Sequence, residues 1–190
     1  MEVIISAIIG ATATLITFYL NKKIQCRTKE KCPLVEHAEK NDNVYKVLDF
    51  CIRSLNGDRA YIYEFHNGEV YYSGSSQQKF SCTYEVAEEG ISRECNNIQN
   101  FRISNFHSLI QEVVKDGSFS FGDIEKISDP VVKAHFIKKG TKSACMLPVK
   151  TLSGKIVGII GVDHVKKSTE FKPEELEEVK KSALLVGGYL

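Results

Sequence analysis

KSACMLPVKTLSGKIVGIIGVDHV, residues 142–165, sets two apolar runs on either side of a polar turn. KSACMLPV reads as a strand, KTLSGK as the turn and IVGIIGVDHV as a second strand. That second run is apolar at nearly every position up to Val162. A strand with one wet face alternates, whereas one covered on both faces does not. The run therefore belongs inside a layered domain. Asp163 and His164 close it, and a side-chain period of two sends them to opposite faces, so they do not act as one unit.

Working outward, SFSFGDI (118–124) is a short strand, and DPVVKAHFIKKG (129–140) a short helix opened by Pro130. SNFHSLIQEVVKDG (104–117) is a helix with Ser104 as its expected N-cap, Leu109, Ile110, Val113 and Val114 on one face, and Gly117 as its stop. KPEELEEVKKSALLVGGYL (172–190) closes as a helix whose acidic residues precede its lysines, as the helix dipole favours. In the first half, Val44, Val47, Leu48, Cys51, Ile52 and Leu55 recur at helical spacing until NGD at 56–58. RAYIYEFH (59–66) alternates as a strand, and Asn67-Gly68 is a strong hairpin-turn signal. EVYYSG (69–74) and QKFSCTYEV (78–86) read as the next extended segments, and AEEGISRECNNIQN (87–100) as a long polar loop. Helix, strands, helix, strand, helix, two strands, helix makes an α+β domain, mainly antiparallel and covered by helices.

The second half resembles the GAF family, a small-molecule sensor fold. FSFGDIEKISDP (119–130) resembles that family's strand followed by Asp-x-x-x-x-Asp-Pro. FIKKGTKSACMLPVKTLSGKIVGIIGVDHV (136–165) resembles its next block, with Gly140 and Ser143 before a strand that ends in Pro148, a turn at Gly154 and a last strand with Gly158. FKPEELEEVKKSALLVGGYL, introduced by Phe171, resembles the closing helix. The likeness runs over residues 35–190, while EFHNG (64–68) and the 87–100 loop depart from it. It implies a sheet of five or six strands and a pocket on the face away from the terminal helices. It also implies a homodimer through the first and last helices of the domain.

Alternation along 60–66 puts Ala60, Ile62, Glu64 and His66 on one face and Tyr61, Tyr63 and Phe65 on the other. Glu64 and His66 stand one strand repeat apart, roughly 6–7 Å, which suits gripping one ligand better than a hydrogen-bonded catalytic dyad. A solvated or locally bonded pair is the competing reading. Tyr72 is a candidate pocket frame, against the commoner role of core aromatic. The resemblance places pocket walls at Ser81 and Tyr84, and at the loop bearing Arg93, the one residue there suited to an anion. It also singles out Asp123, for which capping duty is an equal alternative. The five histidines show no ligand spacing, and no phosphate loop, catalytic Ser/His/Asp elbow or HExxH motif is present. Relatives that reduce methionine sulfoxide use paired cysteines, but no matching motif surrounds Cys82 and Cys95. No metal, cofactor or enzymatic activity is expected.

The net charge of +1 conceals a basic block, KKIQCRTKEK at 22–31, that is +4 by itself. The body lacks a nucleic-acid footprint. Before the block, Val3 to Leu20 are 18 uncharged residues, roughly 27 Å as a helix, which matches a bilayer core. The domain plan is a transmembrane anchor at 1–21, a basic linker at 22–34 and a GAF-like body at 35–190. The basic flank predicts a single-pass protein of the inner or cytoplasmic membrane, its N-terminus outside and its body in the cytoplasm. The six cysteines, with no CxxC pair, agree with a reducing compartment. Such an anchored arrangement resembles bacterial and phage proteins. The expected function is a module that binds a small polar or nucleotide-like ligand and acts through self-association or a partner. The alternative is a head that dimerises without ligand in a membrane complex, for instance one controlling phage lysis.

Overall fold

The computed structural model describes residues 15–20 and 32–190. Its contacts separate the chain after Glu39, and Lys40–Leu190 carry the sheet. Most of the expected membrane span lies outside the described residues; residues 15–20 are helical with exposed side chains. Among the described residues, no helix is long and apolar enough to cross a membrane.

Helix α1 is Pro33–Leu55, and it buries Val44, Leu48, Cys51, Ile52 and Leu55 at successive turns of one face. Asn56 adopts a left-handed φ of 48°, which lets the Gly57 amide return to the Ile52 carbonyl at 2.9 Å and end the helix. β1 (Arg59–Val70) and β2 (Ser76–Ala87) form a long hairpin, and β3 is only Phe101–Arg102. The short α2 (His107–Gln111) loosens into a π-turn at Glu112–Asp116, and β4 is Phe119–Phe121. α3 (Pro130–Lys138), β5 (Ser143–Lys150), β6 (Ile156–His164) and α4 (Pro173–Tyr189) complete the chain.

The six strands run in the order β3-β2-β1-β6-β5-β4, every neighbouring pair antiparallel. Covered by helices, this is the expected α+β class. β5 and β6, the strands of 142–165, pair from Ser143↔His164 to Lys150↔Ile156. One side of the sheet packs Ile62, Leu147, Ile160 and Val162 beneath α1 and α4. The other carries an aromatic core, in which Tyr61 stacks on Tyr63 at 4.6 Å, Tyr63 on Phe80 at 5.3 Å, and Phe80 meets Phe106 edge-on at 5.3 Å.

Two local expectations are corrected. The hairpin does not turn at Asn67-Gly68: β1 continues through both, and Asn67 pairs with Gln78. The chain reverses at 71–75, where the Gly74 amide donates to the Tyr71 carbonyl at 2.8 Å and Gly74 supplies a φ of 83°. Cross-strand pairing from Phe65↔Phe80 outward prevails over the local turn preference of Asn-Gly. Ser104 does not cap α2 either; it lies inside a 3₁₀ turn, Ile103–Phe106, that precedes the helix.

α4 lies against β5 backbone to backbone at its C-terminal end. A Cβ on Gly187 would come within 1.9 Å of the Lys150 carbonyl oxygen, whereas one on Gly188 would meet nothing within 4 Å. Gly187→Ala should therefore destabilise the domain by about 1–3 kcal/mol through overpacking. Gly188→Ala should be neutral or stabilising by up to about 1 kcal/mol through helix propensity. Urea unfolding of both variants measures the contrast.

Candidate functional site

Antiparallel register sets Arg59 at the start of β1 directly across from Asp163 near the end of β6. Both side chains are fully buried, on the sheet face away from α1 and α4. A carboxylate taken out of water persists only with charged or hydrogen-bonding partners. Asp163 Oδ2 accepts from Arg59 Nη2 at 2.9 Å and from Thr141 Oγ1 at 2.8 Å, and pairs with Lys139 Nζ at 2.9 Å. Oδ1 accepts from the Tyr61 hydroxyl at 2.9 Å.

Lys139 uses the three donors of its ammonium on Asp163, on the Tyr63 hydroxyl at 3.1 Å and over the Tyr61 ring at 3.9 Å. Arg59 also donates to the carbonyls of Ser92 and Lys139, at 2.9 and 3.1 Å. Glu85, 3.9 Å from Arg59 Nε, accepts from the Glu94 and Cys95 amides at 2.9 Å and fixes the 88–100 loop. None of Arg59, Tyr61, Tyr63, Glu85, Lys139, Thr141 and Asp163 is more than 6% exposed. Burial pushes the Asp163 carboxyl up, but Lys139 and Arg59 outweigh it and hold it below the usual carboxylate value. Burial also lowers the Lys139 ammonium, which Asp163 only partly restores.

At the β4 margin of the same face lies a cavity of about 220 Å³. Phe119, Phe121 and Val132 give it apolar walls, and Glu112, Asp129 and the ion pair Lys126–Glu170 give it a polar rim. Asp129 also accepts from the Val131 and Val132 amides and so starts α3. Among the described residues, no group of three or more His, Cys, Asp or Glu side chains has metal-binding geometry.

The residues singled out from sequence fall in several places. Glu64 and His66 keep the alternation of Ala60 and Ile62, and so stand on the helix side of the sheet. Glu64 accepts from the Thr83 hydroxyl at 3.0 Å. His66 Nε2 shares a 2.9 Å hydrogen bond with Ser81 Oγ, which also accepts from the Asn100 amide. Tyr84 donates to Asn41 of α1 at 2.7 Å. Tyr72 is fully exposed at the hairpin tip, Arg93 is exposed on the 88–100 loop, and Asp123 caps a 3₁₀ turn through the Glu125 amide at 3.0 Å. The structure thus brings His66 and Ser81 together and leaves Tyr72, Arg93 and Asp123 on separate loops. Cys95 Sγ donates to the Cys82 carbonyl at 3.2 Å, and burial pushes both thiols above their ordinary values. Sequence reasoning missed Arg59, Glu85 and Lys139. The available signal was Asp163 itself, an acid in an otherwise uncharged buried strand, which requires cations opposite it.

Asp163→Asn strands two buried cations and should cost about 3–5 kcal/mol. Thr141→Val, which removes one hydroxyl, should cost about 1 kcal/mol. Equilibrium denaturation of the two variants tests this ranking. His135 packs edge-on against Phe101 and Phe106, and burial and then Lys139 lower its pKa to about 3. A folded value depressed below the unfolded one of about 6.5 contributes stability that is complete above pH 6.5 and lost as pH falls toward 3. His135→Phe should flatten that decline, read as urea midpoints across the interval.

No protein-family model matches the sequence, and no curated protein matches it. Solved structures do. The blue-light-absorbing PixJ GAF domain of Thermosynechococcus elongatus superposes with a TM-score of 0.64 at 13% identity, over 83% of this chain and 90% of that one. GAF3 of Slr1393 from Synechocystis sp. PCC6803, in its photoproduct state, gives 0.61 at 13% identity, over 78% and 91%. The GAF region of a candidate membrane protein from Geobacter sulfurreducens PCA gives 0.59 at 14% identity, over 82% and 95%. The fold is that of a GAF domain.

Proposed function

We propose that this GAF-fold chain is a non-catalytic sensor held at a cytoplasmic membrane by its N-terminal segment, with its body in the cytoplasm. It takes a small polar ligand in the cavity beside β4 and signals through a homodimer built on α1 and α4. The observation that carries the ligand-binding part of this reading is the cavity itself. It lies on the sheet face away from the terminal helices, with apolar walls and a rim in which Glu112 and Asp129 exceed the charge balanced by Lys126 and Glu170. An apolar pocket with a few convergent polar groups is the usual form of a ligand site. The acidic excess favours an ammonium-bearing or zwitterionic ligand over a nucleotide. The solved neighbours include a blue-light-absorbing GAF domain and a far-red-absorbing protein with bound biliverdin. At about 220 Å³ the cavity suits something far smaller than a bilin.

A second reading, a dimerising head without ligand, is supported by the half-exposed apolar residues Phe50 on α1 and Leu184 and Leu185 on α4. Native mass spectrometry of the full chain released from detergent separates the two. Under the first reading, a dimer retains an added amine or amino acid, and Glu112→Lys abolishes the adduct while leaving the dimer. A dimer that retains nothing across amines, amino acids and nucleotides supports the second, and a monomer without ligand overturns both.

A further inference from the structure

The β1–β2 hairpin outruns the sheet. Pairing of β1 with β6 ends at Glu64↔Gly158, but pairing with β2 continues to Val70↔Ser76. Phe65 still packs against the aromatic core, and residues 67–70 beyond it form an arm of roughly 13 Å at the usual strand rise. Val70 is 69% exposed, Tyr71 42% and Tyr72 fully exposed at its end. The Glu64↔Gly158 register sets Lys155 level with Asn67, and the β5–β6 turn closes just beyond it through the Thr151 amide and the Lys155 carbonyl, with Leu152 94% exposed in that turn. A cleft of about 350 Å³, lined by His66, Asn67, Lys155 and Val157 among others, separates the two projections.

The helices point the same way. The Gly187 end of α4 abuts Lys150. α1 runs antiparallel to α4, with Cys51 beside Ser182 and Lys46 within electrostatic reach of Tyr189. Followed back from Leu55 to Lys40, α1 therefore heads toward the end that carries Tyr72 and Leu152. The chain upstream of Lys40 contains the basic block 22–31 and the uncharged run Val3–Leu20. Among the described residues, Lys79 on β2, Lys150 at the end of β5 and Lys155 in the turn border this end together with Glu69 of β1.

We infer that this end of the domain is a membrane-docking surface, with Val70, Tyr71, Tyr72 and Leu152 seated in the headgroup region of an anionic bilayer. Tyrosine suits that layer because its ring is apolar and its hydroxyl stays wet, and lysines beside it face the lipid charge. The bilayer is favoured over a protein partner because the sequence upstream of Lys40 holds a basic block and an apolar run of membrane-spanning length. The inference rests on the anchored reading above, and contact at two points besides the anchor would fix the orientation of the domain.

The sequence contains no tryptophan, so a single substitution makes a unique fluorophore. Tyr72→Trp and Leu152→Trp report from the proposed surface. Ile137→Trp, exposed on α3 near the opposite end of the strands, is the control. Each full-length variant is reconstituted into phosphatidylcholine–phosphatidylglycerol vesicles with lipids brominated near the headgroup, and flotation is checked first. The expected result is co-flotation, with about twofold quenching of the two surface probes and none of the control. Co-flotation without quenching overturns the docking surface and leaves the anchor standing. Failure to float overturns the anchored reading and the docking surface together. Shielding of the Tyr72→Trp probe that appears in detergent and disperses on dilution identifies a second copy as the occupant and also overturns the proposal.

Discussion

Inside this domain two buried cations, Arg59 and Lys139, converge on the carboxylate of Asp163 with Glu85 close by, and the geometry around them follows from that. Asp163 alone would be untenable in the core, and so would Arg59 or Lys139. Together they draw β1, β6, the segment joining α3 to β5 and the 88–100 loop to one point. The aromatic rings gathered there are part of the same arrangement: the Tyr61 hydroxyl donates to the carboxylate, its ring face receives the ammonium, and the Tyr63 hydroxyl accepts a hydrogen bond from that ammonium. Such a cluster is weak evidence of stability, since an apolar set of equal volume often does as well. What it supplies is position, because each charge must be met at one place and in one register.

The two faces of the sheet have accordingly diverged. Under α1 and α4 the contacts are aliphatic and interchangeable in kind. On the opposite face the deep interior is filled by the domain's own charges and rings. One opening on this face lies at the margin by β4, a strand of three residues bordered by a π-turn and a 3₁₀ turn. Short irregular elements bury less than long ones, and open space collects around them.

Most of the architecture was legible because it rests on periodicity. The double-covered run at 156–162, the helical stripe from Val44 to Leu55 and the alternation of 60–66 each appear in the structure as read. Asn67-Gly68 misled because turn propensity is local, whereas the register of a long hairpin is decided by all its cross-strand pairs together. The charged cluster was opaque for a related reason. Arg59, Glu85, Lys139 and Asp163 lie in four separate segments, and only the fold makes them neighbours. The EFHNG segment drew attention because its residue types are reactive. Alternation put Glu64 and His66 on one face with Ala60 and Ile62. Only the structure shows that this face is turned toward the terminal helices, where their hydrogen bonds to Thr83 and Ser81 are local to the β1–β2 ladder.

The contact of Gly187 with the Lys150 carbonyl has a mechanical meaning. Where two backbones touch with no side chain between them, nothing compliant can absorb a displacement. The end of α4 and the end of β5 must then travel as one body. β5 is hydrogen-bonded along Phe119↔Met146 to β4, the strand that walls the cavity. The wall of the cavity and the end of α4 are thereby only one ladder and one backbone contact apart, although they lie on opposite sides of the sheet.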